Sequence, residues 1–328
     1  MVINVAEIQN MKNIVFMYAG QGTQYYQMGA ELYRQNSIFN MNMNQLDKIA
    51  YEILNRSVIE TLYNEEKKPQ EQFLDLQQSN AGIFMVEYSL TKVLLSIGIV
   101  PNYVLGASLG EYISLAISNT CDCEAILRSL INHGGMFNNI KNGAMLSILD
   151  DINIYHDNAE IFSGCDIAAY NYEKNFVISG ENNNIGHVEN YLLRNNIVYV
   201  RLPIKIAFHS KSIDGVKDAY LASIKYTVKN DPDYKIVSCS EIKINPSITS
   251  EYFWGVVRKP IKFYETITML EEIGECLFID VSPTGTLANF INYRVQNRSE
   301  AYSIMGLFSN INKKLDVIKQ AFRKNVER

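Results

Sequence analysis

Val100–Tyr112 reads VPNYVLGASLGEY. An apolar run ends there in Gly106-Ala107-Ser108-Leu109-Gly110, a G-x-S-x-G pattern, and a helix-spaced run through Ile113, Leu115 and Ile117 follows. A short apolar strand, a tight turn and a helix make one unit of an α/β layer. A turn squeezed between strand and helix holds its central residue in a strained conformation. Glycines on both flanks let the backbone pass without a Cβ clash. The Ser108 hydroxyl then stands at the end of the sheet, beside a helix N-terminus whose orphan N–H groups and dipole favour a developing oxyanion. The N–H of Leu109 is the natural first donor. Ser108 is therefore the candidate nucleophile, and the plain alternative is an ordinary strand–turn–helix junction.

The same alternation extends outward. Asn13–Tyr18 (NIVFMY) reads as a buried strand running into AGQGTQ, and residues 81–97 carry apolar side chains at helical spacing. Lys235–Ser238 (KIVS) and Cys276–Val281 (CLFIDV) read as further strands. Between them lie short strand-like runs at Ala144–Leu149, Asp166–Tyr170, Asn175–Ser179 and Val198–Leu202, with helical stretches near Tyr155–Phe162 and Ile185–Arg194. That β-α-β-β-α-β order suits a ferredoxin-like α+β unit. The expected organisation is a discontinuous α/β domain at 11–136 and 206–328, with a small ferredoxin-like subdomain at 137–205.

The bulk numbers fit a globular protein. Of 328 residues, 47% are hydrophobic and 20% charged, with a net charge of −5. No long basic run gives a nucleic-acid footprint, and no apolar run approaches the ~20 residues that span a bilayer. The first twenty residues lack the basic-then-apolar pattern of a secretory leader, so a cytoplasmic location is expected. Five cysteines at scattered spacings read as reduced thiols. Cys121 and Cys123 have no second pair or nearby histidine to complete a zinc site, so no metal is expected.

A serine nucleophile needs a base, and the chain offers four histidines. His156 (YHDNAE) and His187 (IGHVEN) sit among polar residues and read as surface. His209 follows the apolar run Pro203–Phe208, at the expected mouth of the sheet, and is the candidate base. A half-buried structural histidine is the alternative. No Asp is evident as a third member, and a backbone carbonyl can orient the imidazole through Nδ1–H.

The motifs FMYAGQGTQYYQMGAELY, VLGASLGEY, AAYNYEKNFVISGE, LPIKIAFHS, VRKPIKF and FIDVSPTGTLANFI occur in this order over almost the whole chain. With them the chain resembles the malonyl-CoA:acyl-carrier-protein transacylase family, which includes acyltransferase domains of polyketide synthases. The resemblance implies an α/β-hydrolase-like core with a parallel sheet and an inserted ferredoxin-like subdomain. It puts Ser108 on the family nucleophile and His209 on the catalytic histidine. Gln21 and Leu109 fall on the oxyanion hole, and the carbonyl near Lys262 where the histidine is oriented. Asn171 falls near the substrate cleft, with a mere turn residue as the other reading. Phe208, beside His209, is placed to shape the acyl pocket.

Two departures stand out. Ala107 replaces the family's usual histidine before the nucleophile, a change expected only to tune the site. His133, in INHGGMF, stands where malonyl-using members carry an arginine. That arginine holds the malonate carboxylate through two parallel hydrogen bonds, which histidine cannot form. Arg128, five residues earlier, is rotated by roughly 140° on a helix and is no simple substitute.

The resemblance implies a shared first step, attack of Ser108 on an acyl thioester carried by phosphopantetheine on an acyl carrier protein or CoA, with no bound cofactor. Free-standing relatives occur in trans-acyltransferase polyketide clusters, and some are acyl hydrolases. Loss of the arginine favours such a hydrolase, removing non-malonyl acyl groups from carriers. An acyltransferase passing a malonyl or other acyl group to acyl carrier protein is the alternative, and a catalytically silent scaffold a minor one. A plain esterase is disfavoured, because the HGGG-type oxyanion loop and the late Asp-then-His order are missing.

Overall fold

A computed structural model describes residues 11–137, 140, 142–229, 231–295, 299–307 and 309–327. Residues 1–10, half of the stretch read for a leader, lie outside them. The strands are β1 (Asn13–Tyr18), β2 (Tyr103–Gly106), β3 (Gly143–Ile148), β4 (Cys165–Tyr172), β5 (Asn175–Glu181), β6 (Tyr199–Arg201), β7 (Lys235–Ser238), β8 (Lys243–Ile244), β9 (Ile261–Lys262), β10 (Cys276–Asp280) and β11 (Glu300–Ser303).

The larger sheet has the order β11-β10-β1-β2-β7-β8 and is parallel except for β8. Its inner strands β1, β2, β7 and β10 are short, mostly buried runs because both faces are covered there, as parallel sheets require. In β1, Ile14, Phe16 and Tyr18 point into one core, while Val15, Met17 and then Ala19 point into the other. This is the two-residue period of a strand. The first core is closed by the helices Ser37–Leu54, Leu76–Ser96 and Cys123–Phe137, the second by Phe263–Ile273 and Thr286–Asn292.

The smaller sheet has the order β6-β3-β5-β4-β9. Its first four strands pair antiparallel, and the helices Asn153–Asp157 and Asn182–Arg194 follow β3 and β5. This is a ferredoxin-like β-α-β-β-α-β unit. Ile185, Val188 and Leu192 of the second helix pack with Leu146, Phe176 and Ile178 in its separate core. The fifth strand, β9, comes from outside the expected insert and pairs parallel with β4, Ala169 opposite Ile261. A two-residue strand between helices carries no periodicity of its own, so its sheet is set by the backbone partner it meets. No helix among the described residues is long and apolar enough to cross a membrane.

Candidate active site

β2 ends at Gly106, and the helix Gly110–Ile117 begins four residues later. A Cβ on Gly106 would stand 2.2 Å from the Glu111 nitrogen, and one on Gly110 would stand 2.0 Å from the Tyr18 carbonyl oxygen. Only glycine lets the turn close this tightly against β1. Ser108 sits at its apex with φ +56°, the left-handed region that costs a non-glycine residue energy and persists only where surroundings enforce it.

His209 reaches the same point from the far side of the chain, also with positive φ, +58°. Its Nε2 lies 3.0 Å from Ser108 Oγ, and its Nδ1 lies 2.7 Å from the Lys259 carbonyl oxygen. Its backbone N–H donates to the Val257 carbonyl at 2.9 Å. A proton on Nδ1 is held by Lys259, which leaves the Nε2 lone pair for the serine hydroxyl. Burial pulls the imidazole down to about 4, with the nearby Arg258 charge adding to that and the Lys259 bond opposing it. The ring is therefore neutral at pH 7 and able to accept a proton.

The orienting carbonyl is that of Lys259, not Lys262. The helix Ser250–Arg258 ends before Pro260, and a residue preceding proline is driven out of the α region. Lys259 accordingly lies at φ −77°, ψ 156°, and its carbonyl turns out toward His209. Lys262 belongs to β9, and its carbonyl accepts from Thr266 Oγ1 at 2.7 Å. The sequence signal for this was the Lys-Pro pair at a helix end.

In the turn after β1, Gly20 is pressed against Ser108: a Cβ on it would stand 3.0 Å from the Ser108 Cβ and 3.1 Å from the Leu109 nitrogen. The Gln21 side chain faces away, donating to Ser79 Oγ at 3.0 Å and to Asn80 Oδ1. Both partners are on the Leu76–Ser96 helix, so the amide pins the loop that follows β1. From beneath, buried Glu87 accepts the Ala19 N–H at 3.3 Å.

A cavity of about 260 Å³ opens from Ser108 and His209. Ala107, Phe208, Asn171 and Gln21 line it. Asn171 is buried on β4 and donates to Asn175 Oδ1 at 2.7 Å, so it belongs to the cavity wall rather than to a loose turn. Phe208 meets Phe137 edge-on, centroids 4.9 Å apart. His156 and His187 are exposed, away from the cavity.

The far wall is aromatic. His133 is 3% exposed and stacks on Tyr220, centroids 4.1 Å apart. Its Nε2 lies 3.0 Å from Ser223 Oγ, and burial lowers it to about 4, so it carries no charge. Tyr112 meets it edge-on, and the Tyr112 and Tyr220 hydroxyls bond each other. Tyr112 and Tyr220 were not singled out from sequence, since an aromatic at helical spacing reads as core. Arg128 is at the surface, paired with Glu52 and Glu124. No lysine or arginine is among the described residues that line the cavity.

The acyl transferase domain profile matches residues 15–326. This chain belongs to the acyl transferase domain family. It is a family of enzymes acting on acyl groups. A polyketide biosynthesis acyltransferase homolog, PksD of Bacillus subtilis, is 37% identical over 287 residues, covering 87% of this chain and 89% of that protein. BaeD of Bacillus velezensis, of the same description, is 36% identical over 84% of this chain and 86% of its own length. Among solved structures, the loading acyltransferase of the avermectin polyketide synthase superposes with a TM-score of 0.86 at 18% identity, over 94% of this chain and 100% of that one. The malonyl CoA-acyl carrier protein transacylase of Clostridium perfringens does so with a TM-score of 0.79 at 21% identity, over 95% and 98%. At such identities these structures speak to the acyltransferase fold alone.

Proposed function

We propose that this acyltransferase-family chain is a serine acyl-enzyme of polyketide biosynthesis that removes neutral, non-malonyl acyl groups from acyl carrier proteins by hydrolysis. The observation that carries the reading is the pairing of Ser108 with a neutral, oriented His209 at the mouth of a cavity in which no lysine or arginine is among the described lining residues. The chain's likeness to acyltransferase homologs of polyketide biosynthesis supports the pathway.

In this reading, Ser108 Oγ attacks the thioester carbonyl while His209 Nε2 takes its proton. The oxyanion is stabilised by the backbone N–H groups of Leu109 and Gln21. The C–S bond breaks, and His209 returns the proton to the departing pantetheine thiol. Water then enters, giving its proton to His209 as its oxygen bonds the acyl carbon. Ser108 leaves with that proton, and free acid departs. No metal or redox group takes part in these steps. Malonate is a poor fit, because a carboxylate taken from water without a partner costs several kcal/mol and His133 is neutral.

Transfer to a second carrier is the other reading, and the relatives named as acyltransferase homologs favour it. Two carriers separate the two. Acetyl- or butyryl-carrier protein is mixed with the enzyme and an excess of a second, unacylated carrier, and all species are followed by intact mass. Hydrolysis gives free acid, a free-thiol first carrier and an unloaded second one. Acylation of the second carrier faster than acid release overturns the hydrolytic reading.

A further inference from the structure

Glu111 lies three residues after Ser108, is 1% exposed and forms no part of the cavity lining. Its backbone N–H donates to the Ser108 carbonyl at 2.9 Å. Its carboxyl accepts from Ser238 Oγ at 2.8 Å, from the Ser240 N–H at 2.9 Å and from the Tyr252 hydroxyl at 2.5 Å. Three donors from two separate parts of the fold thus converge on one buried carboxyl group. Ser238 ends β7, the strand beside β2, where it pairs with Gly106. Tyr252 belongs to the helix Ser250–Arg258.

That helix is what holds the base. Its last turn supplies the Val257 carbonyl to the His209 N–H, and Lys259 just beyond it supplies the carbonyl to Nδ1. The Phe253 carbonyl of the same helix accepts the Tyr220 hydroxyl of the cavity wall at 3.3 Å. The nucleophile and its base lie 101 residues apart in the chain and are carried by different elements. Glu111 bonds both carriers. A buried carboxyl is costly unless its acceptor sites are filled, and here three donors from two elements fill them. Apolar packing would tolerate small slides between helix and turn, whereas directed hydrogen bonds do not.

We propose that Glu111 is a positioning residue that sets the spacing of Ser108 and His209 by tying the nucleophile turn to the helix that holds the base. It rests on the reading of Ser108 and His209 given above and adds a residue that touches neither substrate nor reacting atoms. A displacement of about an ångström between nucleophile and base is enough to cost up to a hundredfold in rate.

The test uses the full chain with two probes: a serine-directed fluorophosphonate, whose labelling rate reads the reactivity of Ser108 without an acyl substrate, and acetyl-carrier protein for kcat and KM. Tyr252→Phe removes one tie while keeping the ring, and Glu111→Gln keeps the shape but trades an acceptor oxygen for a donor. For folded protein, both are expected to lower labelling rate and kcat about tenfold, with KM within about twofold of wild type. Glu111→Asp, which keeps the carboxylate but shortens its reach, should fall further than Glu111→Gln. Should Glu111→Gln fail to fold, Tyr252→Phe decides alone. Labelling and kcat within twofold of wild type, whatever the melting temperature, would show Glu111 to be merely structural and overturn the proposal, as would a raised KM at unchanged kcat. Labelling that persists in Ser108→Ala overturns the nucleophile itself, and the tie with it.

Discussion

The surroundings of His209 and His133 are alike in three ways and opposite in one. Both imidazoles are 3% exposed, both are pulled down to about 4 by burial, and both have one ring nitrogen beside a serine hydroxyl 3.0 Å away. His209, however, sits at positive φ after an irregular segment, and its second nitrogen is bonded to the Lys259 carbonyl. His133 sits within a regular helix, its ring stacked on Tyr220, and its Nδ1 has no partner among the described residues. A histidine becomes a base when its second nitrogen fixes the tautomer and the first faces a reactive group. Left without that, the same neutral ring is one more aromatic wall.

If this contrast is right, the two residues respond very differently to replacement. His209→Ala should cut turnover of a neutral acyl thioester by about 10³-fold, within the range of a lost general base, at little change in circular dichroism. His133→Phe should cost less than about fivefold, since shape and neutrality are kept. Comparable losses in both variants would break the distinction.

Next in size is acyl choice. His133→Arg should raise the ratio of malonyl to acetyl loading by about tenfold or more, because a guanidinium supplies the two-point contact a carboxylate lacks. An unchanged ratio would mean that the cavity rejects malonate by shape and not for want of a charge.

The acid limb offers a finer comparison. A base at about 4 stays deprotonated, so kcat/KM should hold nearly flat from pH 7 to about 5. An ordinary imidazole, near 6.5, would lose roughly 25-fold over the same span. Stability behaves otherwise. Between about 6.5 and 4 the unfolded chain takes up protons that the folded one refuses, so each histidine destabilises the fold as pH falls through that window. His133→Phe removes one such contribution and should narrow the gap in melting temperature between pH 7.5 and pH 5. Glu111 works in the opposite sense: burial raises it to about 7, so its share of stability is present at low pH and lost as pH rises through 7.

The smallest effect concerns the holder of the base. Pro260→Ala frees Lys259 from the extended conformation and should lower kcat a few-fold with KM unchanged. No change would mean that the helix end alone aims the carbonyl.

Legibility in the sequence followed the same divide between the two histidines. Gly106 and Gly110 announced the strand–turn–helix junction at Ser108 because no other residue fits against Glu111 and Tyr18. The β1 and β10 runs were readable because both faces of the sheet are buried. The ferredoxin-like order was readable because each strand is short and bounded. Lys259 was missed in favour of Lys262 because a carbonyl has no side-chain signature: its direction depends on where a helix stops. The partners of His133 were hidden for another reason. Ser223 and Tyr220 lie 90 and 87 positions further on, and only the tertiary fold brings them to its ring. Glu111, inside a motif, gave no hint of what its side chain binds, since Ser238, Ser240 and Tyr252 lie 127 to 141 positions further on, beyond the ferredoxin-like unit.

The central claim, a Ser108 acyl-enzyme built for neutral acyl groups, is tested most directly by intact-mass analysis of the protein quenched within seconds of mixing with acetyl- or malonyl-carrier thioester. The account predicts a 42-dalton-class acetyl adduct (roughly the mass of a ketene unit, by simple chemistry) that maps to Ser108, is absent in Ser108→Ala, and forms faster than any malonyl adduct. A malonyl adduct forming as fast or faster, or an acetyl adduct that survives in Ser108→Ala, would contradict it.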